Sequence, residues 1–127
     1  MPNAAESDSS RTFHLARRDD WEAQRHTSGY RPSAFAAEGF VHCTDGLDRL
    51  LVPANAYFAA DPSPFVALEI DLGQVAAEVR YDAEPPIYPH VYGPIEPSAV
   101  VATFVAERDP DGRFTGFRRE GPSDQPA

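Results

Sequence analysis

The sequence predicts a small mixed α+β domain with two N-terminal helices. Two helical patterns come early and most strand patterns come late, with none of the regular strand–helix alternation that builds a parallel sheet. A length of 127 residues suits one domain with one real core.

Thr12-Phe13-His14-Leu15 reads as a first strand. Asp19 then opens a helix, with Glu22 three residues later completing a capping-box pattern and Gly29 closing it. Pro32 keeps the next stretch extended. Gly39 to Cys43 is a second strand, and Thr44 is placed to cap a helix with Asp45 and Asp48 in its first turn. Leu47, Leu50, Leu51, Ala54, Tyr57 and Phe58 recur at helical spacing, so Pro53 either kinks this helix or restarts it. Phe65 to Asp71 is a strand whose Val66, Leu68 and Ile70 face the core. Val79 to Tyr81 is a short strand, and Ala99 to Glu107 is apolar enough to expect burial on both faces. A turn at Asp109-Pro110-Asp111-Gly112 leads into an edge strand, Arg113 to Phe117, which closes a hairpin. Residues 1–10 and 120–127 lack the aromatic and β-branched residues a core needs, so they are expected as a disordered lead-in and tail around an ordered domain, residues 11–119.

Composition narrows the function. The formal charge is -9, which repels a phosphate backbone, so no nucleic-acid partner is expected. No apolar run approaches the roughly 20 residues of a membrane span. The start of the chain lacks the basic and apolar regions of a secretory signal, so no membrane partner and a cytoplasmic location are expected. Cys43 is the only cysteine, which excludes an internal disulfide and a four-cysteine zinc site. All 11 basic residues are arginine, so no lysine Schiff base can form. There is no phosphate-binding glycine loop and no His-Glu-x-x-His zinc motif. The oligomeric state stays open.

Chemistry falls to the histidines. His26, near the end of the first helix, has a structural or surface role there. His14 and His42 each lie in an apolar strand, and two buried imidazoles need partners for both ring nitrogens. Alternation puts His42 on one face with Phe40 and Thr44, and Cys43 on the other as a small apolar residue. That separates Cys43 from His42 as a nucleophile pair. In Pro89-His90-Val91-Tyr92-Gly93-Pro94 the rings of His90 and Tyr92 alternate around Val91, so both can face one cleft. Gly93 permits a close approach of backbone to ligand. The spacing of His14, His42 and His90 leaves a three-histidine metal site open.

These motifs resemble the bacterial family known as domain of unknown function 952. They are Phe13-His14-Leu15, Trp21, Gly29-Tyr30-Arg31-Pro32, Glu38-Gly39-Phe40-Val41-His42-Cys43-Thr44, Ala54-Asn55-Ala56-Tyr57, Ile70-Asp71 and Pro89 to Pro94. The chain departs from the family's look at Thr44, where serine is usual, and at Tyr81-Asp82, where Trp-Glu is usual. The resemblance implies small split β-sheets, a fold similar to that of ADP-ribosyltransferases, in which the pair of sheets grips NAD. It then implies that His14 holds a ribose, that Tyr30, Phe40 or Tyr92 stacks on nicotinamide, and that His42 and Thr44 are polar groups of the cleft. The catalytic carboxylate would be Glu84 or Asp82. Catalysis is therefore expected at His42, Thr44 and Glu84, ligand binding at His14, Tyr30, Phe40, His90, Tyr92 and Gly93, and NAD as the substrate. Two other readings stay open: a non-catalytic module that binds a small molecule, and a His-ligated metal hydrolase.

Overall fold

The computed structural model describes residues 11–120. The expected disorder of residues 1–10 and of the tail beyond Glu120 lies outside the described residues. Seven strands form two antiparallel sheets. The larger contains β1 (Arg11–Arg17), β3 (Phe65–Asp71), β6 (Val100–Arg108) and β7 (Phe114–Arg119), in the order β1-β3-β6-β7. The smaller contains β2 (Val41–His42), β4 (Glu78–Arg80) and β5 (His90–Tyr92), in the order β2-β5-β4. Three helices, α1 (Arg18–Gln24), α2 (Phe35–Glu38) and α3 (Leu51–Tyr57), all precede β3. The α+β class, with helices early and strands late, is the one the sequence predicts; α2 adds a helix where an extended segment after Pro32 was expected.

β3 organises the core because one of its faces is wholly apolar and the other begins with the buried pair Phe65 and Ala67. Val66, Leu68 and Ile70 are fully buried with Trp21, Tyr30, Val41, Val91 and Ile95, between the large sheet and the small one. Each such side chain contributes roughly 1.5–3 kcal/mol on leaving water. Phe65, on the opposite face, is buried with Ala54 and Phe114 beneath α3. Arg108 closes this second cluster: its guanidinium donates to the carbonyls of Gly112, Ser63, Phe58 and Ala59 and lies 4.2 Å from the centre of the Phe114 ring. Arginine does this because one planar group presents five donors in fixed directions.

Several local expectations are overturned. The capping box does not form: β1 runs straight into α1, Arg17 caps it without a side-chain bond, and Glu22 pairs with Arg18 and Arg25 instead. Gly29 does not close α1, which ends five residues earlier; a Cβ there would lie 3.0 Å from the Cβ of Pro94. Thr44 is not a helix cap. It is buried, and its backbone exchanges two hydrogen bonds with Phe13. Pro53 is the third residue of α3, which follows directly on a 3-10 turn over Asp48–Leu50, so the helical segment changes type two residues before the proline and not at it. Tyr57, placed on the apolar stripe by its spacing, is 78% exposed. β6 is not buried on both faces either; most of its residues are partly exposed, since no second layer covers it along its length.

Two antiparallel contacts tie the small sheet to the rest. One is the Phe13–Thr44 exchange, and the other joins Tyr30 to Ile95 with bonds of 2.8 and 3.0 Å. Within the small sheet, Val41 lies opposite Val91, and Val91 opposite Val79. This row faces the core, so the next row, His42, His90 and Arg80, faces away from it.

Candidate functional site

β2 starts at a glycine hinge. Gly39 ends α2 at φ 84°, a left-handed conformation that lets the chain reverse into β2. Val41 then points inward and His42 outward. The expectation that His42 is buried is corrected here: its side chain is 59% exposed. Its Nε2–H donates to Oε1 of Glu38 at 2.9 Å, which leaves Nδ1 as the acceptor nitrogen of the neutral ring.

Phe40 gathers the rings. It stacks on His90 at 4.2 Å between centroids and 14° between planes, meets His42 at 4.8 Å and Tyr92 at 5.3 Å. His42 and His90 stand 5.3 Å apart, edge to face. On the far side of His90, Oδ2 of Asp82 lies 3.7 Å from Nδ1 and accepts from the Tyr92 hydroxyl at 2.6 Å. His90 titrates below the usual imidazole range because burial and the neighbouring His42 ring disfavour its charged form, although Asp82 opposes them. Arg80 lies 4.7 Å over the Tyr92 ring and is held by two hydrogen bonds to Glu78.

Beneath this face His14 is 5% exposed. Its Nδ1 bonds the carbonyl of His42 at 2.7 Å, and its Nε2 meets the Tyr30 hydroxyl at 2.9 Å. A carbonyl only accepts, so Nδ1 carries the proton, and Nε2 accepts from Tyr30. Burial lowers the pKa of His14 to about 4, which keeps the ring neutral. Burial also pushes the Tyr30 hydroxyl and the Cys43 thiol well above their ordinary values, so both stay protonated.

The structure thus brings four of the sequence-predicted residues together on one exposed face: Phe40, His42, His90 and Tyr92. His14 and Tyr30 lie below, with both ring nitrogens of His14 engaged and Tyr30 fully buried. Thr44 is buried beside β1. Gly93 packs against Ala77, where an added Cβ would approach the Ala77 Cβ to 2.7 Å. Glu84 is exposed in the loop between β4 and β5 and makes no hydrogen bond to the described residues. The three histidines do not converge, and among the described residues no group of three or more His, Cys, Asp or Glu side chains is placed to hold a metal. Sequence reasoning missed Glu38 as a partner of His42. Its signal was a carboxylate four residues before the histidine in the same motif. Two surface hollows, of about 410 and 430 Å³, are lined by other residues, around Arg108 and Gly112 and around Asn55 and Phe114.

The fold and face define an α+β protein of two antiparallel sheets whose smaller sheet displays histidines, aromatic rings and carboxylates. The sequence profile described as "Protein of unknown function (DUF952)" matches residues 15–103, and the chain belongs to that family. The crystal structure of protein CC0527 from Caulobacter crescentus is similar in fold, with a TM-score of 0.70 at 18% identity, covering 83% of this chain and 93% of that one. The solution structure of CC0527 gives 0.60 at 20% identity, covering 93% and 97%. No curated protein matches.

Proposed function

We propose that the outer face of the small sheet is the active site of an ADP-ribosyltransferase-like enzyme that cleaves an N-glycosidic bond, with NAD as the substrate the family resemblance implies. One observation carries the reading: two imidazoles, each with a carboxylate beside it, flank a stacked aromatic ring on one exposed face. Breaking the bond to nicotinamide leaves positive charge on the sugar. Glu38 and Asp82 are the carboxylates able to oppose that charge. His42, aligned by Glu38, can take the acceptor's proton at Nδ1. Phe40 and Tyr92 offer ring faces to the departing group. His14 serves here from below, by holding the His42 carbonyl, rather than by touching the ribose.

The test is incubation with NAD while following thermal stability and free nicotinamide together, with His42→Ala in parallel. Ligand at a hundred times its Kd adds about 2.7 kcal/mol, several degrees for a domain of this size. The expected result is a stabilised wild type that releases nicotinamide and a variant that does not. Stabilisation without release identifies a binding module. Neither effect removes NAD from consideration.

A further inference from the structure

From the charge around the histidine pair we infer that, within the N-glycosidic class, the face prefers a phosphate-free, cationic N-riboside to a dinucleotide. The inference rests on the reading of this face as an N-glycosidic site. Three carboxylates, Glu38, Asp82 and Glu78, border the rings of Phe40, His42, His90 and Tyr92. Arg80 is the cation that stands among them, and Glu78 holds it through Nε at 2.9 Å and one terminal nitrogen at 3.1 Å. Its other terminal nitrogen stays open, but the paired carboxylate neutralises the charge, so a phosphate there meets an ion pair and not a free cation. The chain as a whole carries a formal charge of -9, which adds to the repulsion of anions and draws cations in. The face therefore disfavours the two phosphates of NAD while favouring a positive heteroaromatic ring. Such a ring can lie against Phe40 or the uncovered part of Tyr92, much as the Arg80 guanidinium already lies over Tyr92.

The chemistry balances without a further reactant. The bond from the ribose C1′ to the ring nitrogen breaks, and its electron pair goes to the nitrogen, so a cationic heterocycle departs neutral. Water adds its oxygen to C1′, and its released proton passes to Nδ1 of His42 and on to solvent. Burial and the His42 ring lower the pKa of His90, which works against a positive charge beside the substrate.

Purified full-length chain is assayed for release of free nicotinamide from nicotinamide riboside and from NAD, at low and high ionic strength. Glu38→Gln and Asp82→Asn are run alongside; both side chains are substantially exposed, so the fold survives their exchange. The expected kcat/KM is at least about tenfold higher for the riboside at low salt. That preference narrows as salt screens the carboxylates, and it narrows in both variants. Turnover of the riboside alone gives the same support. Equal or better use of NAD overturns the inference and leaves the N-glycosidic reading standing. A preference that ignores both salt and the variants overturns it too, because shape and not charge is then the cause. Release from neither substrate overturns both readings.

Discussion

At the scale of single residues, the carboxylates decide the chemistry. Family resemblance and chain position nominated Glu84 or Asp82, and the structure separates them by their contacts. Asp82 binds the Tyr92 hydroxyl at 2.6 Å and lies beside His90, whereas Glu84 is exposed and makes no hydrogen bond to the described residues. Asp82→Asn keeps an acceptor for Tyr92 and removes only the charge. It is expected to slow nicotinamide release by about tenfold or more, while Glu84→Gln stays within about twofold; steady-state kinetics on the pair check this. The grouping of the rings was legible: alternation along a strand puts His42 and Phe40 on one face, and His90 and Tyr92 alternate around Val91 in what the sequence suggested as a loop and the structure forms as β5. Glu38 was not, because its partnership with His42 depends on Gly39 turning the chain back between α2 and β2. The exposure of His42 was also hidden, since apolar neighbours on both sides say nothing about whether the outer face of a small sheet is covered.

At the scale of elements, the short strands of the small sheet depend on close packing more than on length. β2 has two residues and β4 and β5 have three each. Gly93, just after β5, is a packing position: any side chain there meets Ala77. Gly93→Ala is expected to destabilise the fold by about 1–3 kcal/mol, read as a lower urea midpoint at unchanged slope. The sequence led to a different use of this glycine, the approach of a ligand, because nothing in Gly93-Pro94 announces Ala77 sixteen residues before. β3 was read correctly for the opposite reason. Val66, Leu68 and Ile70 fall on one face by alternation, and all three are fully buried. β6, equally apolar, misled because apolar character alone does not say whether another layer packs on a strand, and most of its residues stay partly exposed.

At the scale of the whole molecule, His14 couples the site to stability. Its folded-state pKa is about 4, set first by burial and opposed by its bond to the His42 carbonyl. An unfolded imidazole titrates near 6.5. Between these values the unfolded chain binds a proton that the folded one refuses. Stability from this group is therefore complete above about pH 6.5 and declines as the pH falls toward 4, by up to roughly 3 kcal/mol. Urea unfolding at pH 7 and pH 4.5 is expected to show the decline in wild type and a smaller one in His14→Gln, in which His90 and the paired carboxylates Glu78 and Glu120 still contribute. Asp61, held down to about 2 by hydrogen bonds from Ser63 and Arg17, acts below this window and not within it.

The same buried line of contacts ends at the protein's single tryptophan. Trp21 is 4% exposed and meets the Tyr30 ring edge-on at 5.7 Å, Tyr30 bonds His14, and His14 bonds the backbone of His42. An indole in that position is a built-in fluorophore for the ring-bearing face. Its emission comes from one known place, without competition from a second tryptophan. A ligand that shifts β2, or a proton that reaches His14, changes the surroundings of that one emitter, so the molecule carries its own optical readout with no dye attached.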